Sequence, residues 1–199
     1  MAQKMPPYAV LVDDYPLPRP IAGHPALEFC NTWAGWADPD THGSEWLTDF
    51  DRFVVWARFT GLITEAAAGR LRGRTATAVL GRARALRTAL YDVALRRDGA
   101  GLAVLAAEAE EANRSTRLVA TGSTIHFELP DDRDPLLPLR SVALSAVELL
   151  GGPDRDAIRA CPGDGCGWLF LDRRGRRVWC SMAACGNRAK VRAHAARNK

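Results

Sequence analysis

The chain has 199 residues, 47% hydrophobic and 25% charged, which is the balance of a globular protein with room for one domain of ordinary size and a small module. No window of about 20 uncharged apolar residues occurs, since even Leu139 to Leu150 contains Arg140 and Glu148, and this excludes a membrane-spanning helix. The formal charge of +4 is unevenly placed: residues 161–199 hold nine Lys or Arg against two Asp, a net of +7, while the first 160 residues carry −3. A basic module on a mildly acidic body is the pattern of a polyanion-binding appendage.

Residues 1–20 carry prolines at 6, 7, 16, 18 and 20 and read as an irregular arm with a short strand at Tyr8 to Val12. That apolar run is too short for a signal peptide and is ended by Asp13, Asp14 and Pro16, so a cytoplasmic protein with reduced thiols is expected. Ala26 to Trp33 reads as a helix, and Asp38 to Ser44 as a loop. The apolar set Phe50, Phe53, Val54, Trp56 and Ala57 has helical spacing, with Gly61 placed to stop it. A short helix from Thr64 to Arg72 follows. The longest helix is capped by Thr75 or Thr77, carries Val79, Leu86, Leu90 and Val93 inward, and ends at Asp98-Gly99. Leu102 to Arg114 is a further amphipathic helix. Leu118 to Ala120 and Thr124 to Leu129, joined by Thr121-Gly122-Ser123, form a β-hairpin with Ile125, Phe127 and Leu129 on one face. The last helix of the body starts at Asp134 or Leu139, and Gly151-Gly152-Pro153 reads as a hinge.

Polar groups interrupt the first helix. Glu28, Asn31 and Thr32 lie among apolar residues and need partners if buried, which a small-molecule pocket would supply; bonding to the neighbouring backbone is the plainer reading. His24, Glu28 and Cys30 contain the residue types of a thiol nucleophile set, but nothing in the spacing places a base beside Cys30, and a buried inert thiol is the better reading.

Beyond the hinge, four of the five cysteines fall in two equally spaced pairs, Cys161-x4-Cys166 and Cys180-x4-Cys185. Two short chelating loops are a simple way to give a zinc ion four thiolates at tetrahedral corners, and four protein ligands leave no open position for catalysis. Two disulfides would need an oxidising compartment. Between the pairs, Trp168 to Leu171 alternates as a strand, Arg173-Arg174-Gly175 turns, and Arg176 to Cys180 returns. Ser181 then caps a helix from Met182 to about Arg197. A unit of roughly 40 residues seldom folds on its apolar core alone, so metal supplies most of its folding free energy. Arg173, Arg174, Arg176 and Arg177 at the turn, and Arg188, Lys190, Arg192, His194, Arg197 and Lys199 on the helix, are candidate phosphate contacts. Asn187 and Arg188 have the donor geometry to read adenine and guanine edges; their alternative roles are to tie the helix to the hairpin and to pair with Asp172.

The run Cys180-Ser-Met-Ala-Ala-Cys185-Gly-Asn-Arg188-Ala-Lys190, with Trp168 to Asp172 and Trp179, resembles the CGNR zinc finger at the C-terminus of bacterial proteins of the ABATE type, a group of stress-induced transcription regulators. Ala26 to Thr32, Trp56, Gly61-Leu62 and Arg84 to Leu90 are similar to the N-terminal domain of that family. The hairpin tip departs from it: Arg173-Arg174-Gly175 stands where the family often has a Ser-Arg-Asn type sequence.

The sequence therefore predicts a mainly α body with a small β-hairpin or sheet (α+β) over residues 1–152, and a treble-clef-like four-cysteine zinc finger, β-hairpin then helix, over 153–199. The resemblance implies a non-enzymatic transcription regulator that binds DNA through the finger, with one structural zinc ion and a body that senses a small molecule or forms a homodimer. The alternatives are a zinc-stabilised protein- or RNA-interaction module, and a small-molecule enzyme using a pocket in the body.

Overall fold

The structure, a computed structural model, describes residues 5–96 and 99–197. The described chain opens with a hairpin of β1 (Ala9–Val12), the short strand expected there, and β2 (Tyr15–Pro18), where the rest of the arm was expected to be irregular. Asp13 and Asp14 supply its two-residue turn at φ 46° and 65°, a left-handed conformation that Asp tolerates better than most side chains. Pro16 and Pro18 face Leu11 and Ala9, positions at which a two-residue turn leaves the missing N–H on the open edge. Helix α1 (Pro25–Cys30) ends earlier than the sequence predicts, because the next residues pair as β3 (Trp33–Ala34) with β4 (Ser44–Glu45). The expected loop between them holds a single helical turn, α2 (Pro39–His42), capped by the Asp38 carboxylate.

The helical body follows the predicted periodicity. Its elements are α3 (Phe50–Phe59), α4 (Glu65–Leu71), α5 (Thr77–Ala94), α6 (Ala100–Arg114) and α7 (Leu137–Gly151). Helix α5 starts at Ala76 with no side-chain cap, so neither Thr75 nor Thr77 plays the expected part, and its last turn gives way at Leu95. The expected end at Asp98 lies outside the described residues. Helices α5, α6 and α7 pack in sequence, and α1 lies against α5 and α7. Phe29, Phe53 and Trp56 meet at the centre with ring centroids 5.4–6.1 Å apart. Strands β5 (Arg117–Thr121) and β6 (Thr124–Glu128) form the predicted hairpin, but it stands clear of the core. No helix among the described residues is long and apolar enough to cross a membrane.

The expected hinge is a tight junction. Helix α7 runs through Gly151, and after Gly152 a 3-10 turn, Pro153–Ala157, folds back on it. The next residues form β7 (Ile158–Ala160), antiparallel to β8 (Leu169–Leu171). The hairpin that precedes the finger helix thus has the first cysteine pair in its loop, and Arg176 to Cys180 does not return as its second strand. Alternation identified Leu169 to Leu171 as a strand, but its partner comes from upstream.

This strand joins the two parts of the chain. Ile158, Leu169 and Leu171 belong to the same core as α1, α5 and α7. The buried Asn31 amide donates to the Leu169 carbonyl at 2.9 Å and accepts from the Leu169 N–H at 2.8 Å, acting as one more residue of sheet. The Leu171 N–H donates to the Ala22 carbonyl at 2.9 Å. Tyr91, stacked on Trp36 at 3.8 Å, donates its hydroxyl to the Gly167 carbonyl at 2.8 Å, while the Trp168 indole reaches the Trp33 carbonyl at 2.9 Å. Asn31→Ala leaves a buried N–H and a buried carbonyl unpaired, each worth about 1–3 kcal/mol. Denaturant unfolding should show a loss on the order of 2–5 kcal/mol, and a loss below about 0.5 kcal/mol would mean that the seam is not structural.

Candidate metal centre and nucleic-acid interface

Two turns bring the thiols together. In the first, Cys161 leaves β7, its thiol accepts the Gly163 N–H at 3.4 Å, and Cys166 closes the knuckle through its own N–H to the Gly163 carbonyl at 2.8 Å. A Cβ on Gly163 would stand 2.9 Å from the Cys185 thiol, so the turn must be bare there. Gly167 has φ +67° and lies under Trp36, where a Cβ would come within 2.6 Å of the Trp36 Cβ; a larger residue would be both strained and obstructed. The second pair opens the finger helix, whose first turn, Met182–Gly186, is π-helical, with the Gly186 N–H reaching back to the Ser181 carbonyl at 3.0 Å. Ser181 caps it by position without a side-chain bond. This wider turn carries Cys185, as π-turns at functional sites often do. Gly186 is accounted for by Met182 and Trp179, whose atoms would lie 2.6 and 3.2 Å from an added Cβ.

The four Sγ atoms of Cys161, Cys166, Cys180 and Cys185 all lie within 4.8 Å of one another, with Cys166–Cys180 at 3.7 Å and Cys180–Cys185 at 3.5 Å. A zinc tetrathiolate with bonds of ~2.3 Å has edges of about 3.8 Å, so the cluster fits the ion and holds one structural zinc. Trp168 and Phe170 are buried beside it, which shields the thiolates rather than offering rings to bases. Four thiolates on a divalent ion leave two negative charges. The Arg188 guanidinium donates to the Cys185 thiolate at 3.0 Å and offsets part of them. Arg188 therefore pairs with a zinc ligand, not with Asp172, whose carboxylate accepts the backbone N–H groups of Arg176 and Arg177.

The other predicted cations divide into two groups. Arg177 lies 4.4 Å over the Phe170 ring and donates to the carbonyls of Ile21, Trp179 and Cys180, so it serves the fold. Arg173 pairs with Asp154 at 2.5 Å and Arg192 with Asp164 at 2.5 Å, both in solvent. Arg174, Arg176, Lys190 and Arg197 are exposed and make no ion pair among the described residues. Helix α8 (Asn187–Arg197) buries no side chain, so Asn187 is presented to solvent with its cations. Lys199 lies outside the described residues. Val178 and Met182, exposed at 58% and 52%, stand beside Arg174 and Arg176 in an open groove of ≈770 Å³.

In the body the polar trio finds its partners within the protein, and Glu28 also borders an open groove of ≈390 Å³ with His24, Phe59 and Thr60. The buried Glu28 carboxylate accepts the N–H groups of Ile21, Ala22 and Gly23 at 2.5–3.1 Å, and these, with nearby Arg177, oppose the burial that pushes its pKa up to about 7. Asn31 is committed to Leu169. The Thr32 hydroxyl donates to the Phe29 carbonyl and accepts from Arg87, a buried guanidinium that also grips Glu45 with both terminal nitrogens. These bonds tie the segment 21–23, the strand β8 and the helix α5 to α1 and the two residues that follow it. Burial also pushes the Cys30 thiol far up, and His24 caps α1 by accepting the Ala26 N–H, so no nucleophile set forms.

Removing the zinc with a chelator should undo the knuckle and, through the strand it closes, the seam. Hydrogen exchange should show protection lost first at the amides of Cys161, Leu169 and Leu171 while α5 and α7 stay protected. Unchanged protection at Leu169 in metal-free protein would show that the body alone holds the strand.

Comparison with known families places this geometry. Residues 157–198 match the CGNR zinc finger, and residues 23–153 match ABATE, described as a putative stress-induced transcription regulator. No curated protein matches the chain. With the ABATE model spanning well over half of the sequence and the four thiols standing where the finger requires them, the chain belongs to the ABATE family and ends in a CGNR zinc finger.

Proposed function

We propose that the protein is a DNA-binding transcription regulator in which the zinc-held finger lies against duplex backbone. The observation that carries this reading is the set of four exposed cations that make no ion pair among the described residues, Arg174 and Arg176 on the turn and Lys190 and Arg197 on α8, in a module of net charge +7 with very little acidic screening. Arg173 and Arg192 are a reserve. Their solvent-exposed pairs are weak and exchange readily for phosphate. The zinc ion acts at a distance from any bound duplex: it fixes the start of α8 and the turn, so the cations are positioned before DNA arrives. Asn187, exposed beside them, is the residue placed to read a base edge, whereas Arg188 is committed to Cys185.

If four cations neutralise phosphates, log K should fall against log salt with a slope near −3.6, each contact contributing about −0.9. Arg174→Ala with Arg176→Ala should flatten the slope by roughly two units and weaken all sequences alike. Asn187→Ala should instead cost ~1–3 kcal/mol on a preferred site and little elsewhere. No retention of duplex DNA at low salt, or an affinity indifferent to salt, would refute the reading and favour a protein-interaction module.

A further inference from the structure

The β5–β6 hairpin is the least supported element of the fold. It is a two-stranded sheet with both long edges open, every residue of β6 is exposed, and in β5 only Val119 is partly covered. An isolated pair of strands is at best marginally stable in water. Its register places Leu118 opposite Phe127 and Ala120 opposite Ile125, so these four share one face. Leu118, Ile125 and Phe127 are 62%, 68% and 68% exposed, three of the four most exposed large apolar side chains among the described residues. Phe127 also lines the mouth of a groove of ≈560 Å³ with Leu62, Ile63, Leu137 and Leu144, which extends the apolar surface onto the body. Contiguous surface of this kind marks an interaction site.

We infer that β6 pairs with β6 of a second copy of the chain, joining two hairpins into one four-stranded antiparallel sheet about a twofold axis. The edge itself argues for this occupant. Thr121 and Thr124 flank a two-residue turn in which Gly122 has φ +60°, so hydrogen-bonded pairs fall at Thr121/Thr124, Val119/His126 and Arg117/Glu128. The N–H and C=O groups of Ile125 and Phe127 therefore point to the open edge. With the axis at His126, Ile125 meets Phe127 of the second copy, and all four outward groups on each strand find partners. Thr124 then faces Glu128 of the second copy, so no like-charged carboxylates or guanidinia oppose each other. The two apolar faces become one continuous face. Natural edge strands usually carry charges, above all Lys, or Pro or a bulge against such pairing; β6, Thr-Ile-His-Phe-Glu, has no Lys, Pro or bulge, and its one carboxylate, Glu128, sits at its end. A self-complementary patch of this form is what a twofold dimer requires.

The test uses the full, zinc-loaded chain. Sedimentation equilibrium should give twice the 21.7 kDa chain mass at high micromolar concentration. Ile125→Asp with Phe127→Asp should return the monomer with helix and zinc contents unchanged, since neither side chain enters the core. His126→Cys should form a reducible cross-linked dimer under mild oxidation, because opposed residues of a non-hydrogen-bonded pair lie about 4.5 Å apart at Cα, within disulfide reach. A monomeric wild type, a dimer that survives the double substitution, or a dimer that His126→Cys does not cross-link would each overturn the proposal.

Discussion

One side-chain amide couples the two halves of this molecule. Asn31 offers Leu169 a donor and an acceptor in the geometry of a neighbouring strand, so the strand leaving the first zinc knuckle enters the body's core without unpaired backbone at that residue. Other seam contacts gather around it. The Gly167 carbonyl meets the Tyr91 hydroxyl, the Trp168 indole meets the Trp33 carbonyl, and Trp36 fills the space that Gly167 leaves bare. Glu28 holds the segment Ile21 to Gly23 from below, and the Ala22 carbonyl of that segment receives Leu171. Glu28 on α1 and Asn31 just after it thus fix the position of the metal module.

That fixation separates the cations by role. The charge pattern of the sequence treats every arginine alike, but Arg177 and Arg188 are committed to carbonyls and to a zinc ligand, and Arg173 and Arg192 to surface carboxylates. What remains for a polyanion is a smaller group from two elements whose relative placement depends on the zinc. Preorganised cations lose less freedom on binding than cations on a mobile tail, so on the proposed reading the seam serves the basic face as well as the fold.

Much of this was legible in the sequence for identifiable reasons. Two cysteine pairs of equal spacing specify a tetrathiolate without knowledge of the fold, and apolar residues at helical spacing located α3 to α7. The partner of β8 was not legible, because alternation shows that Leu169 to Leu171 is a strand but not which segment it pairs with, and the downstream return was nearer in sequence than Ile158. The partner of Asn31 was also hidden. Buried polar groups demand partners, and Glu28 finds its own in nearby backbone, but nothing in the sequence points Asn31 to a strand 138 residues away. Arg87 gave no signal at all, since an arginine on a helix reads as a solvated face until Glu45 is seen across from it.

On the reading proposed above, zinc creates the DNA-binding face by fixing the turn and the start of α8. Adding zinc to metal-free protein while following the anisotropy of a labelled duplex tests this most directly. DNA affinity should rise with zinc and reach its plateau at one equivalent per chain, in step with the return of protection at Leu169. Equal affinity and equal salt dependence in the metal-free protein would contradict it.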